Sequence, residues 1–204
     1  MKRVGVLALQ GAFIEHIDML RRLGAEAFPV RLPQELQRVD ALVIPGGEST
    51  SISRLMEIYG LTEPLKKLAE SGLPIFGTCA GLIIMAKQIE GQSPGPLAVI
   101  GVEVKRNAFG RQVDSFEANL PVPVLGKPDF HAVFIRAPKI ERIGEGVEVL
   151  ARLDGGTVVA ARQEKLLVTT FHPELTDDPR FHEYFLTLAS NGGHGGSSFR
   201  PRRS

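Results

Sequence analysis

The sequence predicts a single α/β domain of three layers, with a mostly parallel central sheet to which antiparallel strands are added. Three observations carry that expectation. The first half alternates near-continuous apolar runs with amphipathic stretches, the pattern of βαβ units whose parallel strands are covered on both faces. The second half replaces the helices with strand-like segments separated by turn signals. A chain of 204 residues with 43% apolar content holds one substantial core and is too short for two of ordinary size.

Residues 3–9 are the first strand. The apolar run is cut by Gln10-Gly11, so it is a buried strand and not a signal peptide. Phe13, Ile17 and Leu20 then recur at helical spacing through residue 22. Residues 26–31 form a second strand, weakened by Pro29. Residues 39–44 form a third, which ends in Pro45-Gly46-Gly47-Glu48-Ser49-Thr50. Helices follow over about 50–58 and 62–71; Gly72 stops the second, and Pro74-Ile75-Phe76-Gly77 is another buried strand. Beyond it, 98–104, 130–135, 147–153, 157–162 and 165–171 are strand-like, added to the parallel core or packed beside it, and a helix over 178–189 closes the fold. The domain thus spans 1–190, and the Gly- and Ser-rich stretch 191–204 is expected to be a disordered tail.

Charge and cysteine content exclude several classes of function. Lys and Arg number 24 against 23 Asp and Glu, and three of the cations, Arg200, Arg202 and Arg203, lie in the tail. The body is therefore mildly acidic and lacks the clustered basic face of a nucleic-acid binder. No apolar stretch approaches the ~20 residues of a membrane span. A single cysteine forms no internal disulfide and has no partner at zinc-ligand spacing, so no metal or cofactor is expected. A soluble protein of a reducing compartment, the cytoplasm, is the expectation.

That cysteine carries the chemistry. Gly77-Thr78-Cys79-Ala80-Gly81 lies between a buried strand and the helical run Leu82–Ala86, the pattern of a nucleophile elbow with Cys in place of Ser. A lone Cys after an apolar strand is most often a small buried hydrophobe. Flanking glycines change the balance, because they let the chain turn where a side chain would collide with the next strand or helix. The turn lifts the thiol out of the sheet, directs a helix N-terminus at it, and offers the Ala80 N–H to an oxyanion. His172-Pro173-Glu174 follows the strand ending at Phe171, at the carboxyl end where open α/β sheets build their sites. In extended chain, residues two apart share a side, so His172 and Glu174 can serve as base and orienter. The Gly46-Gly47 pair suits a second oxyanion donor at Gly47, whereas a phosphate cradle lacks its Lys; Ser49 or Thr50 can cap the next helix.

Together these residues resemble the class I glutamine amidotransferases, which carry G-x-C-x-G and a later H-P-E. The resemblance narrows with Gly5–Phe13, Pro45–Thr50, Arg106–Gln112 with Ser115-Phe116-Glu117, and Phe134–Pro138. These segments are similar to the family of glutaminase subunits of pyridoxal 5′-phosphate synthases, in unbroken order over about residues 3–189. The resemblance implies a class I glutamine amidotransferase-like fold and hydrolysis of L-glutamine by Cys79, His172 and Glu174. It implies an oxyanion hole at Gly47 and Ala80, and a glutamine pocket lined by Gly47, Glu48, Ser49, Arg106, Ile135 and Arg136. Glu48 would face either the substrate ammonium or the partner. Gln10 would sense that partner, a (β/α)₈-barrel synthase subunit in a hetero-oligomer that receives the ammonia. His16, on the first helix, is an interface candidate, and His131, His182 and His194 read as ordinary surface or strand positions. A free-standing γ-glutamyl hydrolase and a catalytically silent regulatory module remain as alternatives.

Overall fold

Alternate side chains of a strand point to opposite faces, so an apolar run feeds two cores at once. In the computed structural model, which describes residues 1–90, 94–106 and 115–190, the early strands behave in this way. They are β1 (Arg3–Leu7), β2 (Glu26–Val30), β3 (Ala41–Ile44) and β4 (Ile75–Thr78), connected through α1 (Phe13–Arg22), α2 (Ser49–Ile58) and α3 (Thr62–Glu70). Val4, Val6, Ala41, Val43 and Phe76 enter one core, where Ile17 and Leu20 of α1 meet them. Leu7, Leu42, Ile44 and Ile75 enter the other, against Ile52 and Met56 of α2 and Leu65 of α3.

The chain continues through α4 (Ala80–Met85), β5 (Ala86–Ile89), β6 (Ile100–Lys105), β7 (Ser115–Leu120), β8 (Phe130–Ile135), β9 (Lys139–Ile143), β10 (Glu148–Arg152), β11 (Val158–Gln163), β12 (Leu166–Thr169) and α5 (Arg180–Ser190). Among the described residues the main sheet runs β2-β1-β3-β4-β12-β11-β9-β6-β5, with β10 on β11. From β2 to β12 every pairing is parallel. β11 then pairs antiparallel with β12, β10 and β9, as does β6 with β9, while β5 and β6 run parallel to each other. α1 and α5 cover one face and α2, α3 and α4 the other, which gives the three layers. The hairpin β7–β8 stands apart from this sheet and packs Phe130, Ala132 and Phe134 into the α1–α5 core.

Differences from the sequence reading have local causes. Pro29 is accommodated because β2 is an edge strand, where a missing N–H breaks no ladder. β5, β7 and β9 escape the sequence reading because each buries little: β9 buries only Ile140, and β7 only Leu120. The expected segment 130–135 is β8, beside the parallel sheet and not within it. The segment Asn107–Gln112 and the expected tail 191–204 lie outside the described residues.

Two glycines set how closely α4 approaches the sheet. A Cβ on Gly81 would stand 2.1 Å from the Ile44 carbonyl oxygen, and one on Gly77 would stand 2.6 Å from Met85 Sδ and 2.8 Å from the Gly81 carbonyl carbon. Backbone cannot yield as a side chain can, so Gly81→Ala should force α4 off β3. We expect a loss of about 1–3 kcal/mol, the usual scale of overpacking, read as a lower denaturant midpoint at unchanged slope.

Candidate active site

Cys79 occupies the single residue between β4 and α4, with φ 49° and ψ −100°. A non-glycine residue in this region is strained, and such strain persists only where the surroundings enforce it. Here the Cys79 N–H donates to the Thr169 carbonyl at 2.9 Å, which extends the β4–β12 pairing by one residue, while the Cys79 carbonyl accepts from Ile83 at 3.3 Å. The thiol is thereby turned out of the sheet, 7% exposed, with Sγ 3.8 Å from the Ile135 carbonyl oxygen.

His172 reaches the same place from the neighbouring strand. β12 ends at Thr169, in register with Thr78, so both chains leave the sheet at the same carboxyl edge. Phe171 is buried against Phe130, Phe134 and Phe181, and the His172 N–H donates to the Val133 carbonyl at 2.9 Å. His172 and Glu174 do not meet across an extended segment. Pro173–Leu175 forms one turn of 3-10 helix that folds the carboxylate back, with Nδ1 of His172 2.8 Å from Oε1 of Glu174. The ring's other nitrogen is left for the Cys79 side.

The loop after β3 closes the third side. The Ala12 N–H donates to the Gly46 carbonyl at 3.0 Å, and a Cβ on Gly46 would stand 2.3 Å from Cε1 of His172. Only glycine can be sandwiched between the chain at Gly11–Ala12 and the imidazole. Gln10 Oε1 accepts the Glu48 N–H at 2.7 Å, which fixes the Gly47–Glu48 peptide. Glu48 caps α2, accepting from the N–H groups of Thr50 (2.9 Å) and Ser51 (2.7 Å), so the cap expected at Ser49 or Thr50 is displaced by one residue. Arg106 donates to the Thr50 hydroxyl at 3.3 Å and has a buried Nε without a partner among the described residues. Arg136, at φ 44°, turns the chain out of β8.

These elements enclose a cavity of about 550 Å³, lined by Gln10, Gly47, Glu48, Ser49, Cys79, Ala80, Arg106, Ile135, Arg136 and His172. Every residue expected on the site therefore borders one space, except Glu174, which stands behind His172. Ile83 also lines it and escaped the sequence reading, because it looks like any apolar residue of the α4 run. Among the described residues no group of three or more His, Cys, Asp or Glu is arranged to hold a metal ion, and no helix is long and apolar enough to cross a membrane.

The sequence matches the SNO glutamine amidotransferase family over residues 6–190. The chain belongs to that family. It is 61% identical over 188 residues to the pyridoxal 5′-phosphate synthase subunit PdxT of Herpetosiphon aurantiacus, covering 91% of this chain and 99% of the relative. A PdxT of Dehalococcoides mccartyi is 56% identical, with 92% and 97% covered. A solved structure described as a glutamine amidotransferase superposes with a TM-score of 0.86 at 55% identity, covering 92% of this chain and 98% of that one. A more distant likeness, the structure of PurLQS from Thermotoga maritima, has a TM-score of 0.71 at 16% identity and speaks for the fold alone.

Within this family member, the electrostatics around Glu174 hold the main surprise. His16, expected as an interface candidate, and His182, expected at an ordinary surface or strand position, are both fully buried, His182 on α5. His16 packs inward because it shares the apolar face of α1 with Ile17, Met19 and Leu20. Its Nδ1 is 2.9 Å from Nε2 of His182, and its Nε2 is 3.2 Å from the Thr78 hydroxyl and 3.4 Å from Oε2 of Glu174. Sequence had one available signal, the i, i+3, i+4 apolar spacing that brackets His16 on α1, and it was not decisive. His131 lies on β8 as expected, against Asn119 and Glu117, and His194 lies outside the described residues.

Burial opposes charge on each of these groups, and the outcome differs by neighbour. Burial lowers His16 and His182, and the nearby Glu174 does not reverse this for His16. For Glu174 burial raises the carboxyl, but His16 and His172 outweigh it and the net shift is downward. For His172 burial is again unfavourable, yet the Cys79 sulfur beside it and the bond to Glu174 raise the imidazole from 6.5 to about 10. The upward shift favours the imidazolium form of His172 at neutral pH. Folding raises this group, so its contribution to stability is complete below the unfolded value of 6.5 and is lost as pH climbs through about 10.

Two predictions follow from these groups. In the wild-type chain the His172 ring should titrate near pH 10, and Cys79→Ala should move that titration downward, as read from the ring carbon shift by NMR. Glu48, held at about 2 by its bonds to Ser51 and Thr50, stabilises the fold above its unfolded value of 4.5 and loses that contribution as pH falls towards 2. Glu48→Ala should therefore cost about 0.5–2 kcal/mol at neutral pH, the usual scale for an N-cap, with the gap to wild type closing in acid. Chemical denaturation across pH measures it.

Proposed function

We propose that the chain is the glutaminase subunit of a pyridoxal 5′-phosphate synthase, hydrolysing L-glutamine to L-glutamate and ammonia for the synthase subunit. The observation that carries this reading is the Cys79 thiol beside an imidazole bonded at 2.8 Å to a buried carboxylate, all opening on one cavity. The identity of 61% to a subunit named for that synthase supplies the substrate context.

In the proposed cycle Cys79, as thiolate, attacks Cδ of glutamine. The oxygen of the resulting tetrahedral centre takes the charge and is received by the N–H groups of Gly47 and Ala80. His172 gives its proton to the amide nitrogen, the C–N bond breaks, and ammonia leaves a γ-glutamyl thioester. His172, now neutral, takes a proton from water as the oxygen attacks the thioester. Collapse releases glutamate and returns the thiolate–imidazolium pair. Arg106 and Arg136 border the cavity as donors for the substrate carboxylate. Glu48 is committed to the α2 cap, which leaves its carboxylate less free for the substrate ammonium.

Ammonia released into water at neutral pH becomes ammonium and loses its nucleophilicity, so the product is useful only if it passes directly to a docked partner. That partner, on this reading, is the (β/α)₈-barrel synthase subunit. Gln10 is the candidate sensor of docking, because its side chain holds the Glu48 N–H next to the proposed donor Gly47. A free thiol as nucleophile suits the reducing cytoplasm. We assign the glutaminase to residues 1–190 and no part of it to 191–204.

The test is glutamate release by the full chain with the synthase subunit present. Cys79→Ala should abolish it, a loss of at least about 10³-fold on the scale of nucleophile removal, and persistent release would sink the reading. Deletion of 191–204 should leave the rate unchanged.

A further inference from the structure

A carboxylate that orients a catalytic imidazole must itself be held, and Glu174 is held on one side only by the groups already described. Oε1 bonds His172, whereas Oε2 is buried without a hydrogen bond among the described residues. An ionised oxygen in that position is costly unless a donor faces it. Nε2 of His16 stands 3.4 Å away, and the same nitrogen lies 3.2 Å from the hydroxyl of Thr78, the residue before the nucleophile.

We propose that His16 is a positioning residue of this glutaminase: His182 fixes its tautomer so that its Nε2–H faces Glu174 and Thr78 and holds the orienter carboxylate in place. The inference rests on the glutaminase reading above.

The proton count assigns the tautomers. A neutral imidazole has one donor and one acceptor. Of the two orders for the His16–His182 contact at 2.9 Å, one has His16 Nδ1–H donating to His182 Nε2. That order turns a bare Nε2 lone pair of His16 towards the Glu174 carboxylate. It also leaves a proton on His182 Nδ1, which is buried and has no partner among the described residues. Both consequences are unfavourable. In the other order His182 Nε2–H donates to His16 Nδ1, His16 Nε2–H points at the carboxylate and the hydroxyl, and the unpartnered His182 Nδ1 is only an unused acceptor. The second order avoids both penalties.

A cationic His16 is disfavoured as well. It is fully buried, with the rings of Phe76 and His182 packed against its own. His16 therefore serves Glu174 as an oriented donor, in keeping with the lowering that burial imposes on both rings. Phe76 meets both rings edge-on, at 6.2 Å from His16 and 5.7 Å from His182, which restrains their rotation. The result is a path from α5 through α1 to Glu174, His172 and Cys79, with a branch to Thr78 that ties α1 to the end of β4.

The experiment has two arms on the full chain. Nitrogen NMR of ¹⁵N-histidine protein should find His16 neutral at pH 7, protonated at Nε2 and bare at Nδ1. A His16 protonated at Nδ1, or on both nitrogens, overturns the assignment. In the complex with the synthase subunit, His16→Leu should lower kcat for glutamine about 10- to 100-fold, the scale on which outer partners of a site act, with KM within about twofold. His16→Gln, whose amide N–H can replace Nε2–H, should recover most of that loss. An unchanged kcat in His16→Leu, or a Gln variant no better than Leu, overturns the role. A wild-type complex without glutaminase activity would overturn the functional reading instead, and the ring nitrogens would still decide the tautomer.

Discussion

The site depends on a turn that the backbone resists. Cys79 sits at φ 49° between β4 and α4, and the strain is tolerated because the chain on both sides is clamped: its N–H to Thr169, its carbonyl to Ile83, and Gly81 pressed against the carbonyl of Ile44. A side chain at Gly81 would collide with that carbonyl and press α4 away from β3. The parallel core thus does more than bury area. It brings β3, β4 and β12 to one carboxyl edge, where the glycine loop, Cys79 and His172 each leave the sheet.

A second constraint is electrostatic. Burying a carboxylate beside two neutral histidines is unfavourable unless the negative charge has a positive partner and oriented donors. The imidazolium of His172 supplies the first, and the His16 ring stands where it can supply the second. The same arrangement separates four buried titratable groups by direction. His172 is driven up by its partners, Glu174 is driven down, and burial lowers His16 and His182. Such divergence among neighbours is characteristic of sites that move protons.

The glycine loop shows how local sequence and distant packing meet. Gly46 and Gly47 read as a loop built for close approach, but what approaches is specific. Gly46 lies against the His172 ring, and a Cβ on Gly47 would stand 2.5 Å from Gln10 Oε1. Gln10 in turn bonds the Glu48 N–H. Residues that follow β1, β3 and β12 are thereby tied into one rim, and none of them names its neighbour in sequence.

Sequence by itself determined the α/β class, the parallel first half, the elbow at Gly77–Gly81 and the identity of Cys79, His172 and Glu174 as candidates. Those features are local: periodicity, turn chemistry and motif spacing act within a few residues and are legible there. It did not determine β5, β7 and β9, whose strands bury one or two side chains and are held by backbone pairing that leaves no apolar pattern to read. Nor did it determine that the His172–Glu174 contact runs through a 3-10 turn, or that Glu48 and not Ser49 caps α2. Least of all did it place His16 and His182. A histidine on an apolar helix face is compatible with surface, interface or core, and only the packing of α1 and α5 over β4 decides for the core. The candidates were therefore in the sequence, while the distances, burial and proton positions that let them act arise only when remote segments share one space.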